Sequence, residues 1–368
     1  MMIIGFKIKK WKETREEGNI MQKFMIIDGS SMLSTSYYGS LPKSILFEKD
    51  EEKRISHYGD ILHTSDGRYT NAIFTMFRTM IAMYKKEKPD YIAFVFDTSR
   101  DTFRRTKLGA DFYKANRKAT PEPLKQQFIA MEEILQKIGF QVLMDSEYEA
   151  DDFAASLVKK FEGPELSTYV ITKDHDYFQL VSPYTRMWRI VDKKKREKLA
   201  EQYGAFAGKE GYDSLPSNVF EYTPEIVKAE EGVYPKDIVK LLAIQGDPGD
   251  GIPGCKGVKA AAAPMIREYG SLEAIYEVIE ECEGNAKKEK ALAAYWKELG
   301  ITPNPINKMK AEKENVMLSE KLAKMKADIP IEKELEDFRF AINKEALTEV
   351  FADYELNSLV AQVKELEG

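Results

Sequence analysis

Five short stretches of this chain collect carboxylates in a way that suits metal chemistry. Asp28 opens Asp28-Gly29-Ser30-Ser31, and Asp97 follows Val95-Phe96. Glu149-Ala150-Asp151-Asp152 packs three acids into four residues, and Asp174 and Asp176 flank His175. Asp247 and Asp250 sit in a glycine-rich run and are spaced so that both can face inward. Singly, each has an ordinary structural explanation. An aspartate after a strand commonly closes a turn or caps a helix, and Asp152 could simply cap the helical segment that follows it. Gathered at one place, the same groups repel one another, and cations relieve that repulsion. Oxygen ligands without histidine or cysteine select hard ions, Mg2+ or Mn2+. Two such ions about 4 Å apart are the usual arrangement for phosphodiester cleavage, one activating a water and the other stabilising the leaving oxygen. His175, in extended backbone, would point away from its acidic neighbours, so it reads as structural. His57 and His63 lie in a polar loop without a readable signal.

Two further stretches have the composition of a nucleic-acid contact. After Asp97 the chain carries Arg100, Arg104, Arg105, Lys107, Lys114, Arg117 and Lys118, interleaved with Phe103, Phe112 and Tyr113. Basic residues suit phosphates and aromatic rings suit stacked bases, although an exposed amphipathic helix would look similar. Residues 246–258 are rich in glycine, including Gly246, Gly249, Gly251, Gly254 and Gly257. Such a hairpin lets backbone N–H groups approach a phosphate and grip duplex without reading its sequence.

The elements that would position these groups alternate. Apolar runs rich in β-formers mark strands at Phe24–Ile27, Tyr91–Phe96, Gln141–Leu143, Tyr169–Ile171 and Met187–Val191. Helical periodicity marks Asn71–Lys86, Pro123–Ile138 and Glu149–Phe161. Strand and helix in alternation predict an α/β fold with a mainly parallel sheet covered on both faces. Ligands then bind at the carboxyl ends of the strands, which is where Asp28, Asp97 and Asp174 fall. Asp192–Asn218, charged and then rich in glycine and small residues, reads as an inserted loop. From Pro224 onward the pattern is helical, and Glu280–Glu314 reads as a solvated helix pair.

The bulk properties narrow the class. Of 368 residues, 43% are hydrophobic and 32% charged, which suits a folded globular chain. The net charge of −6 weighs mildly against a nucleic-acid binder, but a metal site built of acids is negative until it is filled. Cys255 and Cys282 are too few for a disulfide framework or a zinc cluster, and they fit a reducing cytoplasm. No apolar run reaches membrane-spanning length. Residues 1–22 read as a dispensable extension, since their apolar start followed by charge reverses the order of a signal peptide.

The motifs, in their order, resemble the 5′ nuclease (flap endonuclease) superfamily, above all the 5′–3′ exonuclease domain of bacterial DNA polymerase I. The stretches that carry the resemblance are Ile26-Ile27-Asp28-Gly29-Ser30-Ser31, Val95-Phe96-Asp97, Thr102-Phe103-Arg104 and Tyr113-Lys114-Ala115-Asn116-Arg117. Glu149-Ala150-Asp151-Asp152, Asp174-His175-Asp176 and Gly246-Asp247 through Gly254 complete them. The resemblance implies a PIN-like core over residues 23–191, with a helical arch around 100–122. It also implies a helix–three-turn–helix module within the C-terminal part, 219–368. By its pattern Asp28, Asp97, Glu149, Asp151 and Asp152 would serve mainly one Mg2+ or Mn2+ ion, and Asp174, Asp176, Asp247 and Asp250 a second. Lys114 and Arg117 would clamp the scissile phosphate with help from Arg104, and Tyr113 would stack on the base beside the cut. Arg100, Arg105 and Lys118, with Gly254, Gly257 and Lys259 of the hairpin, would hold the nucleic acid. The implied partners are DNA with a 5′ flap, nick or end and RNA–DNA primer junctions, cut by a monomer that leaves a 5′-phosphate. The sequence departs from the family at Thr35, where an arginine is usual, and at Lys259 and Ala261, which replace a glycine and a lysine of the hairpin. No polymerase sequence follows, which reads as a stand-alone enzyme. A ribonuclease acting on single-stranded RNA and a non-catalytic binder of branched DNA are the competing readings. The hairpin argues against the first and the full set of carboxylates against the second.

Overall fold

The computed structural model describes residues 21–207 and 218–366. The expected extension therefore lies outside the described residues except at its end, where Gln22 already belongs to the first strand. Six strands form one sheet: β1 Gln22–Asp28, β2 Tyr91–Val95, β3 Gln141–Leu143, β4 Leu166–Ile171, β5 Thr185–Ile190 and β6 Val219–Tyr222, in the order β3-β2-β1-β4-β5-β6. All neighbouring pairs are parallel except β5 with β6, which is antiparallel.

The strands bury both faces, and the alternation along β1 shows how. Phe24 and Ile26 enter one core, Met25 and Ile27 the other. The second core holds α1 (Gly29–Gly39), α2 (Asn71–Glu87) and α3 (Glu122–Lys137). The first holds α4 (Ala150–Phe161) and runs on without a break into the C-terminal helices. Its continuation includes α6 (Pro224–Glu231), α7 (Ile238–Gln245), α8 (Lys259–Tyr269) and α9 (Leu272–Glu280). Ile226, Leu241, Ala261, Met265 and Ile275 are all buried there.

Each of the five expected strands forms. Two other readings need correction. The stretch taken for an inserted loop begins as a helix, α5 (Lys193–Ala207), and its residues 208–217 lie outside the described part. Leu199 and the buried Tyr203 turn one side of α5 onto the core, with the Tyr203 ring 6.4 Å from that of Phe220 in β6. The expected solvated helix pair also has a packed side. In α10 (Ala286–Glu298), Trp296 is fully buried and its indole N–H donates to the Tyr269 hydroxyl at 2.6 Å.

Residues 338–366 return to the N-terminal half. The Phe340 N–H donates to the Asp90 carbonyl at 2.9 Å, and its ring stacks on Phe140 at 4.8 Å and 4°. Two helices then cover α2, after α11 (Lys313–Ala323) has packed on α7: α12 (Lys344–Asp353) and α13 (Asn357–Lys364). Among the described residues no helix is long and apolar enough to cross a membrane.

Candidate active site

Parallel strands send their carboxyl ends to one edge, and three of them deliver an aspartate there. Asp28 ends β1 and caps α1, accepting the Ser31 N–H at 2.9 Å. Its other oxygen accepts the Thr172 hydroxyl at 2.7 Å. Asp97 follows β2, where its N–H is held by the Ser30 hydroxyl and its carboxylate accepts the Ala150 N–H at the start of α4. Asp174 follows β4 and caps the short 3-10 helix His175–Leu180, accepting the Asp176 N–H at 3.0 Å.

The start of α4 supplies the next group. Glu149 is its N-cap, and Thr102 donates to one carboxylate oxygen at 3.0 Å. The other oxygen accepts the Tyr113 hydroxyl at 3.2 Å and the Lys114 ammonium at 2.5 Å. Asp152, one turn further on, is fully buried and grasped by both terminal nitrogens of Arg104, at 2.7 and 2.8 Å. Its oxygens also accept the N–H groups of Glu149 and Lys326. Asp151 stands between them with a buried oxygen, Oδ1, that has no hydrogen-bond partner.

The glycine-rich hairpin between α7 and α8 completes the ring. Gly254 has φ +59°, and a Cβ there would lie 2.3 Å from the Gly246 nitrogen, so only glycine closes the turn. The hairpin brings Asp247 and Asp250 beside Asp176, with one oxygen of each within 4.8 Å of the others. It also meets the basic segment: the Lys114 N–H donates to the Asp250 carbonyl at 2.8 Å, and the Asp250 carboxylate takes the Arg117 guanidinium. Residues 100–118 form one short helix, Phe103–Thr106, and then successive turns that lie across the carboxylates.

Burial and mutual repulsion set the charge of this edge. Burial, then the neighbouring Asp97, pushes the Asp28 carboxyl up to about 7. Burial and Asp152 hold Asp151 well above the usual carboxylate range, and burial with Asp174 and Asp250 does the same to Asp176. Glu149 goes the other way. Burial would raise it, but Lys114 and Arg104 outweigh burial and keep it ionised. An unsatisfied oxygen on Asp151, crowded hard ligands and acids held partly protonated by burial and by one another describe a site that a divalent cation would stabilise. Asp28, Asp97, Glu149 and Asp151 could hold one ion, and Asp174, Asp176, Asp247 and Asp250 another.

Residues 23–204 match the N-terminal, resolvase-like domain of the 5′–3′ exonucleases, and residues 233–346 match their C-terminal SAM fold. The chain belongs to the 5′–3′ exonuclease family. The 5′–3′ exonuclease of Aquifex aeolicus is 29% identical over 94% of this chain and 96% of its own length. DNA polymerase I of Caldicellulosiruptor bescii is 29% identical over 93% of this chain, which spans only 33% of that polymerase. The fold recurs in the bacteriophage T5 D15 protein crystallised with metal ions, at a TM-score of 0.52, 18% identity and 94% and 99% coverage of the two chains. It recurs also in the catalytic core of Rad2 in complex with DNA substrate, at 0.52, 16%, 93% and 92%.

Several site residues of the exonuclease stand where the sequence did not put them. Arg104 is 1% exposed and spans Asp152 and the carbonyls of Leu322 and Lys324, so it cannot reach a phosphate from there. Asp152 for its part has no lone pair to spare for a metal. Tyr113 is 3% exposed with its hydroxyl on Glu149, which excludes its ring from stacking on a base in this arrangement. The Gly254 N–H donates to the buried Ser319 hydroxyl and is closed to phosphate. Gly257 and Lys259 are exposed at the start of α8. Arg100 donates to the carbonyls of Arg117 and Lys118, and Arg105 pairs with Asp101 at 3.0 Å. The His175 ring accepts from Arg189 at 2.5 Å, away from the acids; it approaches Glu230 and Glu231, but the Arg189 guanidinium already brings positive charge to that group. Thr102 and Thr172, which orient Glu149 and Asp28, escaped sequence reasoning. Their only signal is position, one inside Thr102-Phe103-Arg104 and the other just ahead of Lys173-Asp174.

Proposed function

We propose that this exonuclease hydrolyses phosphodiester bonds near the 5′ end of one strand of branched or nicked DNA, leaving a 5′-phosphate, as a cytoplasmic monomer in replication and repair. Flaps, nicks, free 5′ ends and RNA–DNA primer junctions are its substrates in this reading. The observation that supports it most is that acids from β1, β2, β4, the start of α4 and the α7–α8 hairpin meet at one edge, with Lys114 and Arg117 reaching into the same space. Bound divalent ions would polarise the scissile phosphate and make an attacking water more acidic.

The remaining work falls to the chain's own residues. Thr172, Thr102 and the N–H groups of Ser31 and Ala150 fix the carboxylates before any ion or substrate arrives. Lys114 and Arg117 neutralise Glu149 and Asp250 in the free protein. With those oxygens committed to a metal, both side chains would be free to bind the non-bridging oxygens of the phosphate, where charge builds up in the transition state. The hairpin, with Gly257 and Lys259 outward, would grip the duplex backbone beside the cut. That grip is what a ribonuclease of single-stranded RNA would not need.

A 5′-labelled flap duplex with Mg2+ or with EDTA, beside a single-stranded RNA of the same sequence, tests this. Cutting of the duplex near its junction only with Mg2+ is the expected result. Cutting of the RNA alone would replace the proposal with a ribonuclease, and metal-independent cutting would discard the acidic site.

A further inference from the structure

The acidic edge has a second basic neighbour. Along the sheet, β2 leads into residues 100–118, and β5, three strands away, leads into α5. Because β2, β1, β4 and β5 are parallel, α5 starts at the edge that carries Asp28, Asp97 and Asp174. At about 4.8 Å per strand the two basic regions stand roughly 14 Å apart at their roots, with the acids between them.

α5 opens Lys193-Lys194-Lys195-Arg196, with Lys198 one turn on. Its inner stripe is Arg196, which donates to the Val219 carbonyl at 3.0 Å, with Leu199 and Tyr203. The helical period turns Lys194 and Lys198 to the opposite side and Lys195 to a flank. All three are exposed, and among the described residues none has an ion pair. Lys193 pairs only loosely with Glu197, at 3.9 Å. Asp192 caps the helix through the Lys195 N–H at 2.8 Å, but the first turn has no acid. Three lysines thus sit at the positive end of the helix dipole, and Lys194 and Lys198 repel at i,i+4. Folding gains nothing from this arrangement, whereas an anion relieves it. Lys173, just past β4 at the same edge, is exposed, and its backbone N–H is held by the Ser31 hydroxyl at 3.1 Å.

We propose that Lys194, Lys195 and Lys198 of α5, with Lys173 at the rim, form a phosphate-binding ridge that takes the backbone of duplex DNA on the side of the acidic edge away from residues 100–118. The ridge rests on the nuclease reading, adding the residues that hold the substrate on its second side. A duplex lying across the edge meets cations on both sides of the acids, which offsets the net negative charge of the chain.

The test is fluorescence anisotropy of a labelled flap duplex with the full chain in EDTA, titrated with salt, comparing wild type with K194A/K195A/K198A. Each lost phosphate contact lowers the slope of log K against log salt by about 0.9. The expected result is a slope shallower by about 2–3 and a Kd about 5–50-fold weaker near physiological salt. The arginine triple, K194R/K195R/K198R, keeps the charge and should restore both. Unchanged Kd and slope in the alanine triple, or failure of the arginine triple to restore them while its melting temperature matches wild type, overturns the ridge and leaves the nuclease reading standing. A wild type without salt-dependent binding overturns both.

Discussion

Arg104 and Lys194 carry the same charge and flank the same acidic edge, but the fold uses them in opposite ways. In residues 100–118 the cations turn inward: Arg104 is buried on Asp152, Lys114 reaches Glu149, and Arg117 reaches Asp250. In α5, Lys194, Lys195 and Lys198 turn outward and, among the described residues, pair with no acid. Inward charges work through close contact in a low dielectric, where each ångström matters. Outward charges work through a field that salt screens within about 10 Å. Basic composition alone therefore does not say whether a segment steadies the fold, serves chemistry or attracts a polyanion; the partner of each cation does.

Breaking the inward set should have the largest consequences. Arg104→Ala strands Asp152 without its counter-charge, and urea titration should show a loss of about 3–5 kcal/mol of stability. If Arg104 instead held the phosphate, the variant would keep its stability and lose activity alone. Lys114→Ala should cut kcat about 10²–10³-fold while DNA affinity changes less than about threefold; equal losses in both would mean that Lys114 merely binds. The charge of the acids themselves gives the third measurement. Asp28 binds its proton more tightly folded, at about 7, than its ordinary 3.8 allows, so in EDTA the folded state loses stability as pH rises between those values, by up to about 4 kcal/mol. Asp151 and Asp176 act in the same direction. Saturating Mg2+ should flatten that slope, since metal replaces the proton, and a slope indifferent to Mg2+ would remove these carboxylates from the metal site. Lys193→Ala, in the outward set, should shift stability by no more than about 0.5 kcal/mol. A larger loss would show α5 charges to be structural after all.

How much was legible follows from the range of the forces involved. β1, β2 and β4 were readable because strands buried on both faces are continuous apolar runs, and the aspartates at their ends marked the edge. β6 was missed because Val219–Tyr222 is four residues long and follows a stretch that looks like loop. α5 was hidden by Asp192–Lys198, although Leu199 and Tyr203 at i,i+4 carried its inner face. The choice between Asp151 and Asp152 could not be read at all. It turns on Arg104, whose other hydrogen bonds go to carbonyls more than two hundred residues along the chain.

The return of residues 338–366 to the N-terminal half bears on how the molecule is made. Phe340 closes onto Asp90 and Phe140, and α12 lays Phe351 against Phe77 at 5.0 Å. During synthesis, the strands and helices that present the acids emerge first, and the part of their apolar surface that Phe340 and Phe351 cover stays bare until residues 338–366 arrive. The second core is therefore complete only when residues 338–366 have met the N-terminal half. A chain shortened ahead of residue 338 would leave Phe77 and its neighbours on α2 without the apolar cover that α12 and α13 give them.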